Sequence, residues 1–247
     1  MTVKKISAGV WRAGTFFVNW YLIDSGQDGV TLVDAGLPGY HRQLVNTLKR
    51  IGRKPEDVRA LVMTHGHIDH IGMAPVLADW RVQLYLHPED TELAKNPRSN
   101  KTEKSPIPYL RYPATSAFVA HAVIKGALRP RRMPSTHPLT EGEMSDIPGR
   151  PIVTHTPGHT DGSCVLEFRD HGVAFVGDLL CMASPVTGRS VDPQIQTRGS
   201  NRSSAQAISS LELVRDVESR LVLPGHGGPW TEGVAAAADS AKRIGCR

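Results

Sequence analysis

Short apolar runs along this chain end in turns built from Gly, Asp, Pro and His, with stretches of helical spacing between them. Thr15 to Ile23 and Val30 to Val33 are rich in β-branched, aromatic and aliphatic residues. The link Asp24-Ser25-Gly26-Gln27-Asp28-Gly29 between them predicts a hairpin, because these residues supply turn conformations that strand formers resist. Asp34-Ala35-Gly36 closes the second strand. From about 40 to 51, Leu44, Val45, Leu48 and Ile51 recur at helical spacing, which predicts an amphipathic helix that Gly52 terminates. A strand at about 59–63 comes next, then a helix from Ile71 to Trp80 and a strand from Val82 to Leu86.

The second half repeats this rhythm. Strands are expected at Pro151 to His155, Cys164 to Phe168, Val173 to Val176 and Leu221 to Leu223, with a helix around Ala205 to Glu218. Two comparable halves of alternating strands and helices define an α/β chain, although no sequence repeat relates them. Lys95 to Arg132 breaks the pattern. It holds Lys95, Arg98, Lys101, Lys104, Arg111, Lys125, Arg129, Arg131 and Arg132 against one acid, Glu103, a net +8 in a chain whose total is +5. Within it, Ala114 to Leu128 places Phe118, Val119, Ala122 and Val123 on one helical face. A helical insertion over residues 95–145 is therefore expected, either as a solvated basic surface or as a lid over a binding site.

With 247 residues, 40% apolar and 21% charged, the chain fits one globular domain spanning 1–247 and not a disordered segment. The N-terminal stretch lacks a continuous apolar core of the signal-peptide kind, and no apolar run approaches the ~20 residues that span a bilayer. A cytoplasmic protein without a membrane partner is the expectation. Cys164, Cys181 and Cys246 have no C-x-x-C spacing and are expected to be reduced. Cys181 reads as a small buried residue after a strand, with a place on a substrate-facing wall as its alternative.

The chemistry concentrates in Thr64-His65-Gly66-His67-Ile68-Asp69-His70, three imidazoles and a carboxylate directly after Ala60-Leu61-Val62-Met63. Imidazole nitrogen and carboxylate oxygen are the usual non-thiolate ligands of zinc and also suit iron and manganese. Three more candidates stand in turns after apolar stretches: His159 in Pro157-Gly158-His159-Thr160, Asp178 in Val176-Gly177-Asp178, and His226 in Pro224-Gly225-His226-Gly227. Any one of them alone would read as a turn residue.

Taken together, H-x-H-x-D-H, then Gly-His, Gly-Asp and a C-terminal Gly-His resemble the metallo-β-lactamase superfamily over about Gly14 to Gly228. The resemblance implies a four-layer αββα sandwich with the helical insertion added. It implies two Zn²⁺ per chain, with Fe or Mn as substitutes: His65, His67 and His159 on the first, Asp69, His70 and His226 on the second, and Asp178 bridging them. Asp69 and Asp178 are the carboxylates it assigns to catalysis. Asp34, in Val-Asp-Ala-Gly, matches an aspartate that orients a ligating imidazole through its free N–H. His155 reads as a structural group, and His41, His87, His121, His137 and His171 have no ligand-like surroundings.

True metallo-β-lactamases typically carry Cys or Ser where this chain has Asp178, so Gly177-Asp178 resembles the glyoxalase II and lactonase branch. That likeness implies hydrolysis of a thioester or lactone in a small molecule by a hydroxide held between two metals. The basic insertion favours an anionic substrate. Four other readings stand beside it: β-lactam hydrolysis, a phosphodiesterase or ribonuclease, a mononuclear iron persulfide dioxygenase, and a metal-stabilised scaffold. Binding of nucleic acid would need a continuous basic track. The oligomeric state is not encoded in these motifs.

Overall fold

Alternation within each strand decides the layering of this molecule, a computed structural model that describes residues 3–246. Trp20 and Leu22 point to one side of their strand, Tyr21 and Ile23 to the other, and all four are buried. The same division separates Leu32 from Val33, Leu61 from Val62, Val165 from Leu166 and Ala174 from Phe175. Burying a large apolar side chain contributes about 1.5–3 kcal/mol. The whole scale of strand propensity spans only about 1 kcal/mol. Strands apolar on both faces are therefore stable only with a layer on each side.

Among the described residues, the first sheet runs in chain order: β1 (Lys4–Ser7), β2 (Val10–Gly14), β3 (Asn19–Asp24), β4 (Val30–Val33), β5 (Val58–Val62), β6 (Gln83–Leu86) and β7 (His137–Pro138). β1 to β4 pair antiparallel, and β4 to β7 pair parallel. β8 (Gly142–Glu143), β9 (Ile152–His155), β10 (Cys164–Phe168), β11 (Val173–Gly177) and β14 (Leu221–Pro224) form the second sheet, in the order β14-β11-β10-β9-β8. A small hairpin, β12 (Cys181–Ala183) and β13 (Ser190–Gln194), lies outside both. Between the sheets sits a core that includes Tyr21, Val62, Leu166, Phe168, Phe175 and Leu223. Helices α1 (His41–Arg50), α2 (Ile68–Ile71) and α3 (Ala74–Asp79) cover the outer face of the first sheet through Leu44, Leu48, Ile71 and Leu77. Further along are α4 (Thr91–Lys95) and α5 (Pro113–Ile124). The second sheet's outer face packs on α6 (Ser204–Ser210) and α7 (Val234–Ile244) through Ala207, Ala237 and Ala241. The result is the αββα sandwich.

The hairpin of β3 and β4, the helix α1 and the strands of the second half lie where the apolar pattern puts them, with shifted ends. Three expectations change. The strand expected from Thr15 begins at Asn19, because Thr15 N–H closes a turn on Val18 O at 2.9 Å. The helix expected to open after His70 instead begins at Ile68 and breaks after Ile71. There the amides of Gly72 and Met73 turn to Gly36 O and Ala35 O, at 2.8 and 3.3 Å, in the loop after β4. The helix expected to reach Glu218 ends at Ser210 and tightens into turns such as Leu213 N–H to Ser210 O at 3.1 Å, which bring both Leu211 and Val214 into the core.

No residue of α5 is buried outright; Phe118 and Ala122 pack on the first core, whereas Val119 and Val123 are exposed. The expected single apolar face is thus divided between core and surface. The segment before and along α5 is tied down by Glu103 N–H to Asn201 O (2.8 Å), the Thr115 hydroxyl to Pro185 O (2.8 Å) and Gly39 N–H to Lys125 O (2.8 Å). Cys164 and Cys181 are buried. Burial pushes the Cys181 thiol up to about 12. No helix among the described residues is long and apolar enough to cross a membrane.

Candidate metal centre

The candidate ligands all leave the same edge of the sandwich. His65 and His67 follow β5, Asp69 and His70 sit on α2, His159 lies in the loop from β9 to β10, Asp178 follows β11 and His226 follows β14. The two sheets are joined at this edge by the main chain, Cys164 N–H donating to Thr64 O at 2.8 Å. On the other side Gly225 N–H donates to Gly177 O (2.8 Å) and Asn19 N–H to Gly225 O (2.9 Å), which fixes the β11, β14 and β3 ends together. Gly225 has to be glycine here: a Cβ would stand 2.3 Å from Asp178 Oδ1 and 2.5 Å from His70 Cε1.

The fold brings all seven residues together. His65 Nε2 lies 3.1 Å from His67 Nδ1, and His159 Nε2 lies 3.0 Å from the same atom. Asp69 Oδ2 is 3.6 Å from His70 Nε2 and 3.5 Å from His226 Nε2. Asp178 stands between the two groups. Its Oδ1 is 3.4 Å from His70 Nε2, and its Oδ2 is 3.1 Å from His226 Nε2 and 3.6 Å from His159 Nε2. His65, His70, His159 and Asp178 are buried, and His67 and His226 are half-buried.

Outer atoms of the rings are held as well. Asp34 Oδ2 lies 2.8 Å from His70 Nδ1, while Oδ1 accepts the Thr64 N–H at 2.8 Å and the Thr64 hydroxyl at 3.0 Å. His159 Nδ1 faces Asn201 Oδ1 at 3.1 Å, and His226 Nδ1 faces Phe17 O at 2.5 Å. Gln196 donates to Asp178 Oδ2 at 2.9 Å. Fixing the outer nitrogen sets the ring's tautomer and aims the inner one.

Protonation divides the imidazoles into two kinds. Burial, and then the neighbouring rings, hold His65 well below the ordinary imidazole range; burial and His67 bring His159 down to about 4. Burial works the same way on His70, but the carboxylates of Asp178, Asp69 and Asp34 overcome it and push this group up to about 10. His226 is likewise raised against burial, to about 9, chiefly by Asp178. Burial acts to raise Asp178, yet His226, His70 and His159 hold it well below the usual carboxylate range.

Two buried atoms decide whether a cation fits. His70 Nε2 and Asp178 Oδ1 face each other and neither makes a hydrogen bond. Such atoms are costly to leave unmatched, at about 1–3 kcal/mol each. Nitrogen and carboxylate oxygen donors within 4.8 Å of one another, as in His65–His67–His159 and Asp69–His70–His226, suit a divalent metal.

Asp90 has no counterpart in the sequence motifs. Its carboxylate accepts from Gly66 N–H (2.7 Å), Gly162 N–H (2.8 Å) and the Thr160 hydroxyl (2.7 Å), so it joins the His65–His67 loop to the His159 loop. Asn201 and Gln196 are equally silent in the sequence, each lying in a polar stretch without a motif. His87, expected to lack ligand-like surroundings, stacks on His155 at 4.0 Å with Glu89 beside them. His155 Nε2 already faces Asp161 O at 2.8 Å, and the group lies apart from the seven.

A cavity of about 480 Å³ opens onto this centre, reaching His67, Asp69, His159, Asp178 and His226. Its walls include Ile107, Leu110, Phe118 and Val119 from the insertion. Phe118 meets the His226 ring edge-on at 5.9 Å. Cys181 is not on the wall.

The model of the metallo-beta-lactamase superfamily matches residues 13–226, and the chain belongs to that superfamily. Among its relatives, the uncharacterized protein Rv2581c of Mycobacterium tuberculosis is 31% identical over 231 residues, covering 90% of this chain and 91% of its own. YflN of Bacillus subtilis, a probable metallo-hydrolase, is 28% identical over 89% of this chain and 82% of its own. In three dimensions the chain is similar to the metallo-beta-lactamase family protein TTHA1429 of Thermus thermophilus, with a TM-score of 0.70 and 23% identity over 97% of this chain and 80% of that one. It is also similar to TTHA1623 in a di-iron-bound form, at a TM-score of 0.61 and 26% identity over 91% and 95% of the two chains.

Proposed function

We propose that this protein is a metal-dependent hydrolase of an acyl bond, a thioester or a lactone, in a small molecule. The observation that carries this reading is the position of Asp178, with one carboxylate oxygen toward His70 and the other toward His159 and His226. His65, His67 and His159 would hold one metal, Asp69, His70 and His226 a second, and Asp178 would belong to both. Zinc fits these donors best, and the di-iron form of the similar TTHA1623 supports iron as the alternative. When bound, metals at such a site supply a water ionised near neutral pH and positive charge opposite a carbonyl oxygen.

The chain's own residues do the rest. Asp34, Asn201 and the Phe17 carbonyl keep His70, His159 and His226 aimed inward. Gln196 holds Asp178 from the far side. The half-buried His67 and His226 stand at the cavity, where a substrate carbonyl can approach without crossing the buried ligands. The relative named a probable metallo-hydrolase supports the same class of chemistry.

The test is metal analysis of the purified protein combined with a screen of thioesters, lactones, phosphodiesters and nitrocefin, before and after chelation. Turnover of an acyl substrate that chelation abolishes and metal restores is expected. Thioesterase activity indifferent to chelation, or a marked preference for a phosphodiester or nitrocefin, would overturn the reading.

A further inference from the structure

The walls of the cavity and the charge of the segment that builds them disagree. Residues 95–132 are strongly basic, yet among the described residues none of the nine Lys and Arg side chains of that segment lines the cavity. Arg131, for one, pairs with Asp79 at 2.7 Å on an exposed surface. Toward the metal centre the segment turns Ile107, Tyr109, Leu110, Phe118 and Val119. From the opposite side Phe17 and Ile68 complete an apolar channel.

Three of these side chains are also more exposed than apolar groups normally are. Ile107 is 70% exposed, Leu110 45% and Val119 40%. A contiguous exposed apolar surface marks a binding site far more often than scattered apolar residues do. This one is continuous with the candidate ligands, since Phe118 touches His226 and the same cavity reaches Asp69 and Asp178. Its volume of about 480 Å³ lies within the roughly 300–1,000 Å³ of small-molecule sites.

We infer that the cavity takes the unbranched apolar acyl chain of the substrate, laid along Phe118, Val119, Leu110 and Ile107, with the scissile carbonyl at the His226 end. This deepens the acyl-hydrolase reading and rests on it. The substrate class is then a medium-chain acyl thioester or an acyl-substituted lactone, and the basic residues of the insertion lie outside its recognition. Complete burial of one methylene is worth about fourfold in affinity. The partly open walls here should give at least about twofold per methylene.

The experiment measures kcat/KM for straight-chain acyl thioesters of N-acetylcysteamine from acetyl to octanoyl, with the leaving group held constant. In parallel, octanamide and acetamide are titrated into metal-depleted protein by calorimetry. The expected result is a steady rise of kcat/KM toward octanoyl and octanamide binding at least about sixtyfold tighter than acetamide. Val119→Asp, at an exposed position that a charge can occupy in the folded protein, should flatten the profile and remove the octanamide preference. Val119→Leu should keep both, as should Leu213→Asp, remote from the cavity.

Turnover of acetyl and octanoyl thioesters at equal efficiency would overturn the inference and leave the hydrolase reading standing. If no thioester is turned over, the hydrolase reading is in question and octanamide binding alone decides the cavity: a preference that Val119→Asp removes upholds it, and equal binding of the two amides overturns it. A Val119→Asp variant that changes only the protein's oligomeric state, with the chain-length profile intact, would assign the apolar wall to a second copy instead.

Discussion

Asp90 packs so closely on Gly162 that nothing larger than glycine fits at position 162. A Cβ there would stand 2.8 Å from both the backbone nitrogen and the carboxyl carbon of Asp90. That closeness is what lets the Asp90 carboxylate accept the Gly162 amide while its other oxygen takes the Gly66 amide, spanning the two histidine loops. Asp90→Ala should leave the buried amides of Gly66 and Gly162 unmatched, at about 1–3 kcal/mol for each group that water cannot reach, while the Thr160 hydroxyl keeps Ser163 Oγ at 2.8 Å. A loss of about 2–5 kcal/mol in denaturant unfolding is expected, with weaker metal binding at His65, His67 and His159. Asp90→Asn, which keeps one acceptor oxygen, should fall between. Unchanged metal affinity in a folded Asp90→Ala protein would show that the carboxylate supports the fold alone.

Metal removal should leave the centre asymmetric in charge. His70 and His226, raised to about 10 and about 9, carry protons at pH 7 when no metal is present, whereas His159, near 4, does not. Folded values above the unfolded 6.5 mean that these two protons stabilise the metal-free fold most below about pH 6.5 and that this contribution fades as pH rises through about 9–10. Metal at Asp69, His70 and His226 must expel them, so its apparent affinity should climb by roughly tenfold per pH unit for each proton displaced, up to about pH 9. The group His65, His67 and His159 should fill first at about pH 6–7. Metal titration in buffers of differing ionisation enthalpy would count the protons, and two equal affinities across this range would contradict the assignment.

Asp34 has φ +59° in addition to its bond to His70. Asp and Asn tolerate that left-handed conformation, and β-branched residues do not. Asp34→Asn should therefore fold nearly as well as the parent yet lose about 10–100-fold in metal affinity or activity, the usual cost of losing an outer carboxylate. Asp34→Val should lose stability as well. Melting temperature and metal content measured side by side separate the two effects.

Asp178→Ala is expected to be the most damaging ligand substitution, because it removes oxygens facing His70, His159 and His226 together. Metal content should drop at both groups. His155→Ala should keep its metal near the parent level, since His155 is occupied with Asp161 O and the His87 ring. Equal losses in the two variants would mean that His155 serves the centre.

Of the ligand-bearing strands, β5, β11 and β14 are legible in the sequence because each is a short run apolar on both faces, whereas β9 buries only Val153 and is legible mainly through the Gly158-His159 turn that follows it. Less can be read where structure depends on distant backbone. The hairpin of β1 and β2 has an irregular register and little buried on β1, so its residues carry no clean alternation. The break between α2 and α3 is set by Gly36 O and Ala35 O, a contact no local pattern encodes. Asp90 in His87-Pro88-Glu89-Asp90 has the local look of a turn, and only the amides of Gly66 and Gly162 disclose its role. Charge counted along residues 95–132 likewise does not tell which of their side chains face the cavity.

Asn19 reaches Gly227 O across 208 positions of chain, at 2.8 Å, beside the turn that carries His226. Closing so long a loop is entropically costly and slow relative to local pairing. His226 is also the last of the seven candidate ligands along the chain, so a chain made from its N-terminal side presents the other six first. A ribosome-bound fragment that stops short of His226 can offer His65, His67 and His159 but not the complete set. The complete set is therefore available only once the turn after β14 has met the start of β3.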